Sequence, residues 1–150
     1  MPLWQKEFVE EYLDDRSVQF PPPFAFNPAN RAYPEISAFG SRILIVSNGN
    51  VSVTAGTSAS APIVAGLFTL LNDARISAKK SPIPFWNPVL YLAKERCPEC
   101  FNVISSGSNH CGQDACCAYG FQVGTSRYNS VTGLGTLRVD SMLKFVLALP

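Results

Sequence analysis

The sequence has 150 residues, 47% of them apolar and 15% charged, which is enough chain for one domain and too apolar for a disordered one. Twelve basic residues against eleven acidic ones leave a formal charge of +1, so there is no general electrostatic case for nucleic acid or an anionic membrane as a partner. The longest apolar runs fall far short of the ~20 residues needed to cross a bilayer. None lies at the N-terminus behind a basic segment, so the chain is expected to be cytosolic or to have its secretory leader upstream.

In chain order, Leu3, Trp4, Phe8, Val9, Tyr12 and Leu13 recur at helical spacing, with Lys6, Glu7, Glu10 and Glu11 between them. This predicts an amphipathic helix over residues 3–14. Pro21-Pro22-Pro23 stops regular structure and opens an extended surface segment through Pro28. Residues 31–40 read as a turn or short helix. Ile43, Leu44, Ile45 and Val46 are continuous, the pattern of a strand buried on both faces of a helix-covered parallel sheet. Asn48-Gly49-Asn50 then turns the chain, and residues 51–54 return.

Val53 to Pro62 reads as a strand end and a small-residue turn, followed by a helix from Pro62 to about Ala78. The first half of that helix is apolar all round, while Asn72, Asp73 and Arg75 enter its second half, so it is expected to be central at its start and to reach solvent at its end. Gly56 permits backbone conformations closed to other residues. A serine hydroxyl beside the free N–H groups of a helix start stands where an oxyanion is stabilised. Ser58 is therefore a candidate nucleophile. Its alternative reading is a helix cap, the commonest use of small hydroxyl residues before helices.

Asn87-Pro88 opens a short helix to about Arg96, residues 97–136 form a loop region with a short strand at 101–104, and Val139 to Leu147 marks a last helix with Asp140 in its first turn. All five cysteines lie between Cys97 and Cys117. In an oxidising compartment they would form two disulfides with one thiol over; Cys97, Cys100, His110, Cys111, Cys116 and Cys117 as zinc ligands are the weaker reading because their spacing is irregular. Asn50-Val51-Ser52 fits a glycosylation acceptor. With two or three strands and an all-round apolar helix, the sequence looks like part of a domain, with a sheet edge and a helix face left uncovered.

A serine nucleophile needs a base, and the only histidine, His110 in the cysteine-rich loop, reads as a surface residue. A carboxylate base accepts a serine proton only with a raised pKa or in an acidic medium. Gly56-Thr57-Ser58-Ala59-Ser60-Ala61-Pro62 resembles the nucleophile motif of the sedolisin family of serine-carboxyl peptidases, within it the acid-active, lysosomal tripeptidyl-peptidase branch. Asn30-Arg31-Ala32-Tyr33-Pro34-Glu35-Ile36, Ile45-Val46-Ser47-Asn48, Asn87-Pro88-Val89-Leu90-Tyr91 and Val131-Thr132-Gly133-Leu134-Gly135-Thr136 follow in the family's order. The resemblance covers almost the whole chain but only the C-terminal third of a complete peptidase.

The resemblance implies an α/β fold, part of a subtilisin-like domain: an incomplete parallel sheet, with a central helix after the nucleophile turn. It implies that Ser58 attacks the scissile bond of a peptide substrate, with its own N–H in the oxyanion site. The glutamate base, its aspartate partner and the oxyanion aspartate would lie upstream, in a missing N-terminal part of the domain. Glu7, Glu10, Glu11 and Asp14 are not substitutes, because their helix matches one that follows the catalytic pair. The chain alone is therefore expected to be inactive. The alternative is a non-catalytic pseudopeptidase remnant, or a subunit completing a site with a separate N-terminal chain. The resemblance also implies a lysosomal or secreted location, which would admit disulfides, and a calcium site whose positions match Asn102, Val103 and Asn129. Asparagine at both acidic positions, and Thr125 and Arg127 where glycines are expected, imply weak or lost calcium binding.

Overall fold

The computed structural model describes residues 1–112 and 115–150. The chain forms a small mixed α/β unit: α1 (Leu3–Leu13), β1 (Ile43–Ser47), β2 (Asn50–Thr54), α2 (Thr57–Ser77), α3 (Asn87–Arg96), a 3-10 turn (Pro98–Cys100), β3 (Phe101–Asn102), β4 (Thr136–Leu137) and α4 (Val139–Ala148). The core lies among α1, α3, the 3-10 turn, α4 and the far end of α2.

Helix α1 buries Gln5, Phe8, Val9 and Tyr12, one stripe at helical spacing. Leu3 stays exposed. Gln5 takes an inner position because every polar group on its side chain is used: Nε2 donates to the Ala32 carbonyl and the Tyr91 hydroxyl, both at 2.7 Å, and Oε1 accepts from the Ala32 N–H at 3.0 Å. The extended segment after the three prolines is thereby tied to α1 and α3. Phe8 meets Tyr91 edge-on, with centroids 5.2 Å apart, and Tyr12 meets Tyr128 in the same way.

The strands differ from the sequence-based expectation. Where an incomplete parallel sheet was expected, the described residues form two antiparallel pairs, β1 with β2 and β3 with β4, and parallel pairing is limited to a bridge between Ser37 and Thr136. Asn48 and Gly49, both at positive φ, form the two-residue turn whose twist matches its strands. Register places Leu44 opposite Val53 and Val46 opposite Val51 on one face. That face is bare: Leu44 is 72% and Val46 74% exposed. A strand expected to be buried on both faces thus has one face bare and the other only partly covered, with Ile43 half-buried and Ile45 40% exposed.

Helix α2 reverses its expected placement too. Its apolar first half is largely exposed, and its buried residues, Leu71 and Arg75, lie in the second half. The reason is topological: α2 packs against α4 only through its far end, and a helix apolar all round needs cover that this chain does not supply to its near end. Phe68 stacks on Trp86 at 4.3 Å, and Asn72 brackets the Ile83 peptide with two hydrogen bonds, holding the return into α3.

Arg75, 3% exposed, donates to the Ser81 carbonyl at 2.7 Å and to the carbonyls of Val146, Leu149 and Pro150. A guanidinium at the end of α4 satisfies carbonyls that have no helical partner and complements the helix dipole. Arg75→Met is expected to lower unfolding stability by about 2 kcal/mol, since buried carbonyls lose their charged donor. Urea unfolding followed by far-UV circular dichroism reads the change.

Candidate active site

Gly56 precedes α2 with φ 148° and ψ 150° and donates its N–H to the Gly40 carbonyl at 2.7 Å. That backbone is closed to residues bearing a Cβ. No side chain caps this end of α2, so the start of a long helix is left as a ready site for negative charge. Helix α2 begins at Thr57, five residues earlier than the sequence pattern indicated. Ser58 consequently stands inside the first turn, exposed, while the cap position belongs to Gly56. Ser60, in contrast, donates its hydroxyl to the Phe39 carbonyl at 2.9 Å, anchoring the turn to residues 38–40. Two serines in one turn therefore have different employment, one structural and one free to solvent.

Pro62 lies inside α2, not at its start. Four residues after Ser58, it lacks the N–H that would close the helical bond to the Ser58 carbonyl, and its ring crowds that carbonyl. The first turn is thereby set off from the rest of the helix. The i, i−4 spacing was legible in the sequence once the helix start was known.

The other charged candidates are placed elsewhere. Glu7 and Glu11 are paired with Arg127, at 2.8 and 2.7 Å, and Glu10 with Lys6 at 3.7 Å. Exposed His110 lines a cavity of about 320 Å³ with Gln19, Phe20, Ser108, Tyr119 and Gln122, a set that does not include Ser58. Cys97 is bonded to Cys100 and Cys111 to Cys116, leaving Cys117 as an exposed thiol. Disulfide sulfurs are not thiolate donors, so the zinc reading fails on these pairs. Asn50 of the glycosylation sequon is exposed at the start of β2.

The calcium positions fall on β3 with the residue after it and on the turn at residues 129–133. Asn102 sits on β3, and its Nδ2 donates to the Thr136 hydroxyl at 3.1 Å; Val103, next to it, is exposed. Asn129 is buried, and its Oδ1 accepts from the Val131 N–H, the Thr132 N–H and the Thr132 hydroxyl at 2.8–3.1 Å. An oxygen surrounded by three donors has no lone pair for a cation. No cluster of three or more acidic, histidine or cysteine side chains stands ready for a metal among the described residues. As arranged, these residues do not fit a calcium ion, which takes six to eight oxygens and depends on carboxylate charge.

Asp15, just beyond α1, gathers the segment that leads to Asn129: its Oδ2 accepts from the Thr125 N–H at 2.8 Å and from the Thr125 and Ser126 hydroxyls, while Oδ1 accepts from Ser17. The bonds from the Ser17 hydroxyl and N–H, then that from Thr125, hold its carboxyl well below the usual carboxylate range. A depressed folded-state pKa contributes stability that is complete above the unfolded value of about 4 and fades as pH falls toward the folded value. The melting-temperature gap between the unaltered chain and Asp15→Asn is therefore expected to be full at pH 5–7 and to shrink below about pH 4. Melting curves across that range check it.

The chain belongs to the sedolisin family of peptidases. It is 37% identical to physarolisin of Physarum polycephalum over 149 residues, covering 99% of this chain and 26% of that protein. It is 38% identical to tripeptidyl-peptidase 1 of Dictyostelium discoideum over 122 residues, 81% of this chain and 20% of the relative. Human tripeptidyl-peptidase 1 is 33% identical over 147 residues, 97% of this chain and 25% of the relative. The chain thus spans about a quarter of the length of these relatives. No family model matches it.

Proposed function

We propose that this chain is the nucleophile-bearing C-terminal portion of a serine-type tripeptidyl-peptidase and is silent until the rest of the catalytic domain is present. The observation that carries this reading is the placement of Ser58: exposed, in the first turn of an uncapped helix, behind a glycine whose backbone only glycine adopts. In the assembled enzyme the Ser58 hydroxyl oxygen bonds to the scissile carbonyl carbon while an upstream glutamate takes its proton. The tetrahedral oxyanion is stabilised by N–H groups at the start of α2 together with an upstream aspartate. Collapse breaks the C–N bond, the glutamate's proton goes to the leaving amine, and water then hydrolyses the acyl ester.

The missing portion has a place to dock. The Leu44, Val46, Val51 and Val53 face of the hairpin and the near end of α2, with Ile63 and Leu70, are apolar and exposed, and relatives matched over nearly this whole chain are about four times its length. A contiguous exposed apolar surface of this kind marks a site where a partner binds. The disulfides fit an oxidising compartment, secreted or lysosomal, and no helix among the described residues is long and apolar enough to cross a membrane. The second reading, a non-catalytic remnant, is favoured by the neutral Asn102 and Asn129 alone.

The test is hydrolysis of an unblocked tripeptide reporter at about pH 4, where a carboxylate base is half ionised, by the chain alone and after adding a separately produced N-terminal portion. Turnover only in the mixture supports the proposal. Turnover by the chain alone overturns the claim that its base lies elsewhere, and silence in a mixture that does form a complex supports the remnant.

A further inference from the structure

We propose that side-chain cations replace calcium in this chain: Arg127 and Lys94 fasten the 125–135 segment to α1 and α3, so the fold neither needs nor takes a divalent ion. The proposal is independent of whether Ser58 is catalytic. It starts from the misfit at the calcium positions, where Asn102 and Asn129 are neutral and the Asn129 carboxamide oxygen is taken up by three local donors.

Arg127 supplies the link on one side. Its Nε lies 2.7 Å from one Glu11 oxygen, a terminal nitrogen 2.8 Å from Glu7, and its own N–H reaches Glu11 at 3.2 Å. The guanidinium also lies over the Phe8 ring, 4.3 Å from its centroid. Two carboxylates one helical turn apart and an aromatic face are thus matched to a planar cation, an arrangement that an ammonium does not reproduce. Asp15 draws in Thr125 and Ser126 immediately before it. Carboxylates are therefore used to hold this segment, but by hydrogen bonds and an arginine.

Lys94 supplies the link on the other side. It is 4% exposed on α3, and its Nζ donates to the Leu134 carbonyl at 3.1 Å over the ring of Phe101, 5.0 Å from the centroid. Leu134 directly follows the turn closed by mutual Asn129 and Gly133 backbone bonds, and Phe101 adjoins Asn102. Burial, and to a lesser degree the nearby Arg127 charge, push the Lys94 ammonium toward its neutral form.

The experiment is thermal unfolding of the whole chain with EDTA, and with calcium chloride titrated to ~5 mM, enough to raise the midpoint through linkage if Kd were below about 1 mM. The midpoint is expected to stay within ~1 °C throughout, whereas Arg127→Gln is expected to lower it by about 3–8 °C in metal-free buffer. A saturable rise with calcium, a fall with EDTA, or an Arg127→Gln midpoint equal to that of the unaltered chain overturns the proposal. Should Arg127→Gln fail to fold, Arg127→Lys, which keeps the charge but loses the fork, is expected to give a smaller fall. Equality of Arg127→Lys with the unaltered chain counts against the specific role of the guanidinium, and calcium titration of the unaltered chain decides the metal question by itself.

Discussion

Replacing Ser58 by alanine is expected to abolish peptide hydrolysis by the chain reassembled with its N-terminal portion, a loss of at least ~10³-fold in kcat. The size of the effect follows from the role: without the hydroxyl there is no acyl-enzyme, and an upstream glutamate has no proton to accept from this turn. A neighbouring change gives the contrast. Ser60→Ala removes the bond to the Phe39 carbonyl and should loosen the turn at a cost of about 1 kcal/mol in stability, while leaving turnover within about tenfold. Both variants should bind the N-terminal portion as the unaltered chain does, because neither removes an apolar side chain from the hairpin face or from the near end of α2. Equal losses for the two serines would mean that the turn matters only as structure.

Gly133→Ala is expected to destabilise the chain by about 4 kcal/mol or more, enough to unfold a marginal domain. Gly133 has φ 65°, and a Cβ there would lie 2.2 Å from the Glu35 carbonyl oxygen and 2.7 Å from that of Pro34. Both obstacles are backbone, held in place by the Leu134 N–H donating to Glu35 at 2.8 Å, so neither yields cheaply. Gly49→Ala separates the two causes. Gly49 has a similar φ of 76° with nothing within 4 Å of a built Cβ, so it should cost only the conformational part, about 1 kcal/mol. Urea midpoints of the two variants measure the difference, and equal midpoints would show that the approach of residues 34–35 to the turn is not rigid.

The local pattern of the chain was legible where one element decides its own form. The α1 stripe, the Asn48-Gly49 turn and the Asn87-Pro88 start of α3 each follow from spacing or from the stereochemistry of one or two residues. The Gly56-to-Pro62 motif, with its ordered companions, led to the family that the relatives establish. Proline's preference for the first helical turn places the start of α2 at Pro62 when the sequence is read alone. Pro62 instead interrupts a helix already begun at Thr57, and Pro restricts the bond behind it without forbidding the turn before it.

Burial was the property that the sequence by itself could not supply. Apolar character determined that Ile43 to Val46 and the near end of α2 want cover, and the motif determined the family. Only the tertiary structure decided that this cover is absent, that the strands pair antiparallel, and that Arg127 meets Glu7 and Glu11 across 116–120 residues of chain. Hydrophobicity is a property of each residue, whereas the partner that buries it, or the carboxylate that pairs with it, is fixed by the path of the whole chain.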